Sequence, residues 1–273
     1  MTDRAVLDQP VERWYEVYLF DLDGTIYLGD ELLPGAAVTI AAIRAAGKTV
    51  RFLSNNPTKT PQQYAAKLTA LGIATPTEDI VTSLTTTIWW LQRYHRAATL
   101  YPIGEQPLID SLEAAGFTLS DDPSAIDIVI ASYDRGFTYA KLQVAFDALW
   151  RERRAILIST NPDRYCPFPG GRGQPDAAAI TAAIEACTGV SCLATMGKPS
   201  ALMAEAGLNG LNVAPGDVIM TGDRLSTDIA MALSAGLEAA VVFTGETSVG
   251  DLGPQHTGVR RLEHIGQLLP ASQ

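Results

Sequence analysis

The stretch Trp14-Tyr15-Glu16-Val17-Tyr18-Leu19-Phe20-Asp21-Leu22-Asp23-Gly24-Thr25 decides how the rest of the chain is read. Its run from Trp14 to Phe20 is aromatic and β-branched, which predicts a short buried strand and not a helix. Two acids one residue apart end the run, and the chain leaves as Gly24-Thr25. Open α/β sheets place ligands at the carboxyl ends of their strands. Two carboxylates held that close repel each other unless a cation or a shared proton intervenes. The stretch therefore asks for a Mg²⁺ ion, for an acid/base pair, or for both. A calcium loop of the EF-hand kind fits poorly, because it needs glycine at its sixth position and Gly24 is the fourth residue from Asp21.

Outward from this point, strand and helix patterns alternate. Pro34 and Gly35 lead into an alanine-rich helix that ends near Gly47, and 49–53 reads as a strand. Thr60-Pro61-Gln62-Gln63 opens the next helix with a Thr N-cap, Pro in the first turn and Gln at N3. It stops at Gly72. Such alternation predicts a mostly parallel sheet with helices on both faces. A second strand–helix series occupies about 84–192, with strands expected at 98–103, 126–131 and 156–160. The most loop-like stretch is Gly170-Gly171-Arg172-Gly173, and the core series resumes with strands at 218–221 and 239–243.

Composition narrows the class. A chain of 273 residues, 47% hydrophobic and 18% charged, can bury a sizeable core. Its formal net charge of −10 argues against nucleic acid or an anionic membrane as partner. An anionic small molecule must then find a local positive site, supplied by a metal, a lysine or backbone amides. No segment approaches the roughly 18 apolar residues of a membrane span. The acidic start Met1-Thr2-Asp3 lacks a secretory profile, so a cytoplasmic location is expected. Cys166, Cys187 and Cys192 have neither a disulfide framework nor a metal-ligand spacing, and fit a reducing compartment as structural thiols. His95, His256 and His264 are isolated, which leaves little for a triad or a zinc site.

Three further polar motifs follow apolar runs: Ser54-Asn55-Asn56, Met196-Gly197-Lys198-Pro199-Ser200, and Thr221-Gly222-Asp223-Arg224 with Asp228 beyond it. Ser54 and Asn55 offer neutral hydrogen-bond donors, Lys198 a compact cation, and Asp223 with Asp228 hard oxygen ligands. Mg²⁺ takes one or two carboxylates together with substrate phosphate and retains several waters. Donors, lysine and metal together suit a phosphoryl group, and one carboxylate is then available as nucleophile. Each motif also has a plainer reading. Ser54-Asn55-Asn56 and Thr160-Asn161-Pro162-Asp163 are turn signals in their own right. Asp228 suits a helix start, Lys198 and His95 suit a surface, and Trp89-Trp90 suits a packed core or a domain joint.

Phe20-Asp21-Leu22-Asp23-Gly24-Thr25, Leu53-Ser54-Asn55-Asn56, Gly197-Lys198-Pro199 and Gly222-Asp223-Arg224-Leu225-Ser226-Thr227-Asp228-Ile229 resemble, in order, the four motifs of the haloacid-dehalogenase-like (HAD) hydrolases. Three features resemble the NagD/para-nitrophenylphosphatase branch, subclass IIA. They are the Asn55-Asn56 pair, Asp134-Arg135-Gly136-Phe137-Thr138-Tyr139-Ala140-Lys141-Leu142, and Thr160-Asn161-Pro162-Asp163. The resemblance implies an α/β fold with a doubly wound, mostly parallel-sheet core over 1–83 and 193–273. Between them, 84–192 would be a large inserted α/β cap that sets substrate specificity.

It further implies a Mg²⁺-dependent phosphatase acting on small phosphomonoesters through an aspartyl-phosphate. Asp21 would be the nucleophile, Asp23 the general acid and base, and Lys198 the cation that neutralises developing charge. Ser54, Asn55 and Asn56 would bind the phosphoryl group, while Thr160, Asn161 and Asp163 would face the substrate from the cap. Asp21, Asp223 and the Asp23 carbonyl would hold Mg²⁺, with Asp228 acting on it through water or from behind the directly bound groups. Where relatives often carry a glycine-rich helix start, this chain has Gly173-Gln174-Pro175-Asp176-Ala177-Ala178-Ala179. A phosphomutase or phosphotransferase on the same core, and a non-catalytic phosphometabolite sensor, are the alternatives. The partner expected is a small phosphomonoester, without nucleic acid or membrane, and a homodimer is left open.

Overall fold

The computed structural model describes residues 11, 13–168 and 171–270; the Met1-Thr2-Asp3 start and Gly170 lie outside the described residues. The chain divides into two compact units. One runs to Ser54, takes in Pro61–Val81 and resumes at Gly207; the other comprises Asn55–Thr60 and Thr82–Ala206.

The first unit is built on Val17–Asp21. Val17, Tyr18, Leu19 and Phe20 are all buried, as expected for a strand covered on both faces of a parallel sheet. Phe20 lies across from Phe52 in the pairing register, with ring centroids 6.3 Å apart. Six strands form this sheet, in the order Arg260–Leu262, Glu238–Val242, Val218–Gly222, Val17–Asp21, Thr49–Ser54 and Ile80–Thr82. The pairings among the first five of these strands are all parallel. Val17–Asp21 is flanked on one side by Thr49–Ser54, the next of these strands in the chain, and on the other by Val218–Gly222, which comes far later. The strand order therefore reverses at Val17–Asp21, and the crevice at such a switch point is where an open α/β sheet receives a ligand.

Helix Ala36–Ala45 buries Ala36, Thr39, Ile40 and Ile43, a helical spacing that lays one stripe on the sheet. Helix Pro61–Ala70 carries proline at its first position and buries Tyr64, Ala65 and Leu68. The chain leaves it through Gly72 at φ 95°, a conformation glycine adopts without strain.

The second unit has its own five-stranded sheet, in the order Ala194–Thr195, Ile156–Ser159, Ile128–Ala131, Thr99–Ile103 and Thr118–Leu119, again with parallel pairings. Two apolar clusters cover it: one gathers Trp90, Leu91, Leu108 and Phe117, the other Ala145, Leu149, Ile180 and Ile184. Trp90 is thus core, and His95 is half-buried with its ring 4.6 Å from the Trp90 ring, not on the open surface. Strand ends match the sequence expectation to within two residues, except that the first strand starts at Val17, three residues after Trp14. One expectation changes. Arg172 and Gly173 are not loop but the start of strand Arg172–Pro175, paired antiparallel with Tyr165–Phe168 around a turn at Gly171. The second unit extends to Ala206, and within it Ala194 pairs with Ile158, which ties that segment to the second sheet. Among the described residues no helix is long and apolar enough to cross a membrane.

Candidate active site

In the first unit, three neighbouring strands deliver polar groups at their carboxyl ends. Val17–Asp21 ends on Asp21, Thr49–Ser54 on Ser54, and Val218–Gly222 passes directly into Asp223. Asp21, Asp223 and Asp228 each bring a carboxylate oxygen within 4.8 Å of the other two. Asp21 is half-buried, while Asp223 and Asp228 are 3% and 0% exposed. Three carboxylates this close and this buried would repel one another strongly; their all-oxygen donor set suits a hard divalent cation.

Local backbone explains how the cluster is held. The Glu246 N–H donates to Asp223 Oδ2 at 2.7 Å, and the Arg224 N–H donates to Asp228 Oδ2 at 3.1 Å. Asp228 sits in a widened turn, Leu225–Ile229, that runs into helix Ala230–Ser234; such π-type turns recur at functional sites. The helix-start reading of Asp228 therefore holds, and the same position leaves its carboxylate within the acidic cluster. Glycine is required around the acids. A Cβ on Gly24 would stand 2.6 Å from Asp223 Oδ2, and Cβ atoms on Gly245 and Gly222 would run into the side chains of Asp223 and Asp228. Arg224 pairs with Glu246 at 2.9 Å. Burial disfavours its charge, but Glu246, Asp223, Asp21 and Asp228 outweigh that and raise its pKa.

Asp23 differs from its neighbour. It is exposed and stands outside the three-carboxylate group. Its side chain hydrogen-bonds Tyr27, whose hydroxyl is pushed far up, first by burial and then by the charge of Asp23. The turn between them is set by Gly24 N–H donating to the Tyr27 carbonyl at 2.8 Å, with Gly24 at φ 83°. Ser54 is buried, its Oγ 3.0 Å from the Tyr64 hydroxyl.

The other expected site residues lie in the second unit. The Asn55 carboxamide clamps the Lys198 peptide: Nδ2 donates to the Lys198 carbonyl at 2.9 Å and Oδ1 accepts the Lys198 N–H at 2.7 Å. Nδ2 also donates to Asp163 Oδ2 at 3.1 Å. Asn56 Oδ1 accepts from the N–H and hydroxyl of Thr58 at 2.8 and 2.7 Å, so the turn reading holds for Asn56. Thr160 and Asn161 are fully buried. The Thr160 hydroxyl donates to Ser132 Oγ at 2.9 Å, and Asn161 Nδ2 donates to the Asn55 carbonyl at 3.2 Å. Lys198 is 3% exposed, not a surface lysine. Two participants escaped the sequence reading. Tyr27 carries no motif signal, whereas Asp176 before an alanine-rich run reads as an N-cap and could have been found.

The residues of this chain match known sequences along most of its length. A family model described as haloacid dehalogenase-like hydrolase matches residues 18–118, and one described as HAD-hydrolase-like matches 195–268. The sugar-phosphatase AraL of Bacillus subtilis is 35% identical over 233 residues, 85% of either chain. The chain belongs to the haloacid dehalogenase-like hydrolases. An acid sugar phosphatase of Staphylococcus saprophyticus is also 35% identical to this hydrolase, over 86% of this chain and 88% of that one. Among solved structures, the 4-nitrophenylphosphatase of Thermotoga maritima superposes with a TM-score of 0.86 at 32% identity, covering 95% of this chain and 98% of that chain. NagD of Escherichia coli superposes at 0.84 with 28% identity, covering 95% and 100%. These similarities place the hydrolase in the NagD/nitrophenylphosphatase branch.

Proposed function

We propose that this hydrolase cleaves small phosphomonoesters, of the sugar phosphate, glycerol phosphate, phosphoglycolate or nucleotide type, through an aspartyl-phosphate with Mg²⁺ bound. The observation that carries the reading is the convergence of Asp21, Asp223 and Asp228 at the switch point of a parallel sheet. Relatives named as sugar phosphatases and nitrophenylphosphatases support the substrate class.

Asp21, Asp223, Asp228 and the Asp23 carbonyl are the groups that would hold Mg²⁺, which when bound offsets negative charge on the phosphoryl oxygens. In the first step an Asp21 carboxylate oxygen forms a bond to phosphorus as the ester P–O bond breaks, and Asp23 gives its proton to the departing alkoxide. In the second, Asp23 takes a proton from water, the water oxygen bonds to phosphorus, and the acyl-phosphate P–O bond breaks. Inorganic phosphate leaves and Asp21 is restored. The exposure of Asp23 suits proton exchange with solvent. Ser54 donates to phosphoryl oxygens, and Lys198 supplies the fixed cation.

Asn55 and Asn56, expected as direct phosphoryl ligands, are engaged through their side chains with Lys198, Asp163 and Thr58, and act in this reading by shaping the loops. Asp163, only half-buried, is the member of the 160–163 loop suited to meet a leaving group. The segment 84–192 supplies specificity as a cap, and the enzyme works in the cytoplasm. Turnover of para-nitrophenyl phosphate tests the reading: chelation by EDTA abolishes it and Mg²⁺ restores it. Ca²⁺ inhibits, because its looser shell misplaces the phosphoryl group. Full activity in EDTA or in Ca²⁺ overturns the proposal.

A further inference from the structure

Asn161 is buried, and its side chain makes three hydrogen bonds within the second unit. Nδ2 donates to the Asn55 carbonyl at 3.2 Å and to Asp176 Oδ1 at 3.3 Å, and Oδ1 accepts the Asp163 N–H at 2.9 Å. The Asn55 carbonyl also accepts the Ser83 hydroxyl at 2.6 Å. Main chain and side chain of Asn55 therefore face opposite tasks. The carbonyl is pinned by Asn161 and Ser83, while the carboxamide grips both polar groups of the Lys198 peptide. Lys198 follows Gly197, where a Cβ would stand 2.7 Å from Asn55 Oδ1 and 3.0 Å from both Asn161 Cβ and the Thr160 carbonyl. The three segments close on one another only because that position is glycine. At the far end, Asp176 caps helix Ala177–Thr188, accepting the Ala177 N–H at 2.6 Å, and is 5% exposed.

We propose that Asn161, braced by Asp176, is a positioning residue for Lys198: it fixes Asn55, whose carboxamide sets the Lys198 peptide and so the direction of its side chain. This rests on the reading that Lys198 meets the phosphoryl group. It moves Asn161 from the substrate-facing role expected from the sequence to the scaffold behind the lysine. Nothing in the arrangement requires Asn161 to touch substrate, and its burial beneath Asn55 and Gly197 argues against that.

Two variants separate positioning from mere helix capping. Asn161→Ala removes the brace. Asp176→Ser keeps a good N-cap, but its shorter side chain falls short of Asn161. Hydrogen exchange at the Lys198 amide reads the clamp directly, with or without turnover. Both variants are expected to speed that exchange by about tenfold or more. They also lower kcat on para-nitrophenyl phosphate by about 10- to 100-fold with KM nearly unchanged, the effect of a misplaced catalytic group. Asp176→Asn, which retains an acceptor oxygen, restores both. A lowered thermal midpoint with exchange and kcat unmoved would reduce the pair to a cap and overturn the proposal. A changed substrate ranking with exchange unmoved would make Asn161 a substrate contact and overturn it too. If the exchange responds but the wild-type protein cleaves no phosphomonoester, the clamp stands and the proposed function falls.

Discussion

Asp21 and Asp23 lie two positions apart, one ending a strand and the other just past it, and are held in different surroundings. Asp21 is half-buried beside Asp223 and Asp228, where its negative charge is one of a set that a cation would neutralise. Asp23 is exposed and anchored to the Tyr27 hydroxyl, away from that set. In the proposed mechanism these different surroundings divide nucleophile from proton carrier, the usual route to paired roles. Asp23→Asn is expected to slow an alkyl phosphate by about 10²–10⁴-fold, the typical contribution of a general acid. It should slow para-nitrophenyl phosphate far less, because the phenolate leaves without much protonation. Comparing kcat/KM on the two substrates decides it: equal losses would mean that Asp23 only shapes the acidic cluster.

Helix Ala177–Thr188 shows how one element carries a titration. Its N-cap Asp176 is pushed up to about 6 from 3.8, chiefly by burial and further by the charge of Asp163, against the opposing Ala177 N–H. An acid whose native pKa is raised binds its proton more tightly when folded, so stability falls as pH rises from near 4 to near 6 and stays lower above. Asp176→Asn caps equally well and cannot ionise. Its stability relative to wild type should therefore rise by about 1 kcal/mol between pH 5 and pH 7.5. Urea midpoints at the two pH values measure this, and a constant gap would contradict it.

The elements themselves were legible where the local pattern carries enough information. The aromatic run before Asp21, the Thr60-Pro61 helix start and the βαβ alternation all announce themselves by propensity and period. Two features did not. The hairpin of Tyr165–Phe168 and Arg172–Pro175 lacks apolar alternation and contains glycine, so turn chemistry masked its pairing. Ala194–Thr195 is two residues long, and only its register with Ile158 ties it to the second sheet. For the same reason the partners of Asn55 were hidden. A carboxamide donates equally well to a phosphate or to a peptide, and only the fold brings Lys198 to it.

At the scale of the whole molecule, a chain of formal charge −10 is asked to handle anions. In the proposed function the balance is local, supplied by Lys198, by the cation that the acidic cluster suits, and by neutral donors such as Ser54. Chemistry and specificity are then separable. Asp163→Ala is expected to reorder a panel of phosphomonoesters by about 1–3 kcal/mol in kcat/KM, the size of a lost polar contact. Inhibition by inorganic phosphate should barely change; a uniform loss across the panel would place Asp163 in the shared machinery instead. In the proposed mechanism Asp21 carries the phosphoryl group between the two steps. Rapid acid quenching of the enzyme during turnover of a ³²P-labelled phosphomonoester tests it most directly. Label is expected bound covalently to protein, mapping to the peptide that contains Asp21, and absent together with turnover in Asp21→Asn. Steady phosphate release with no labelled protein at any quench time, or turnover retained in Asp21→Asn, would contradict it.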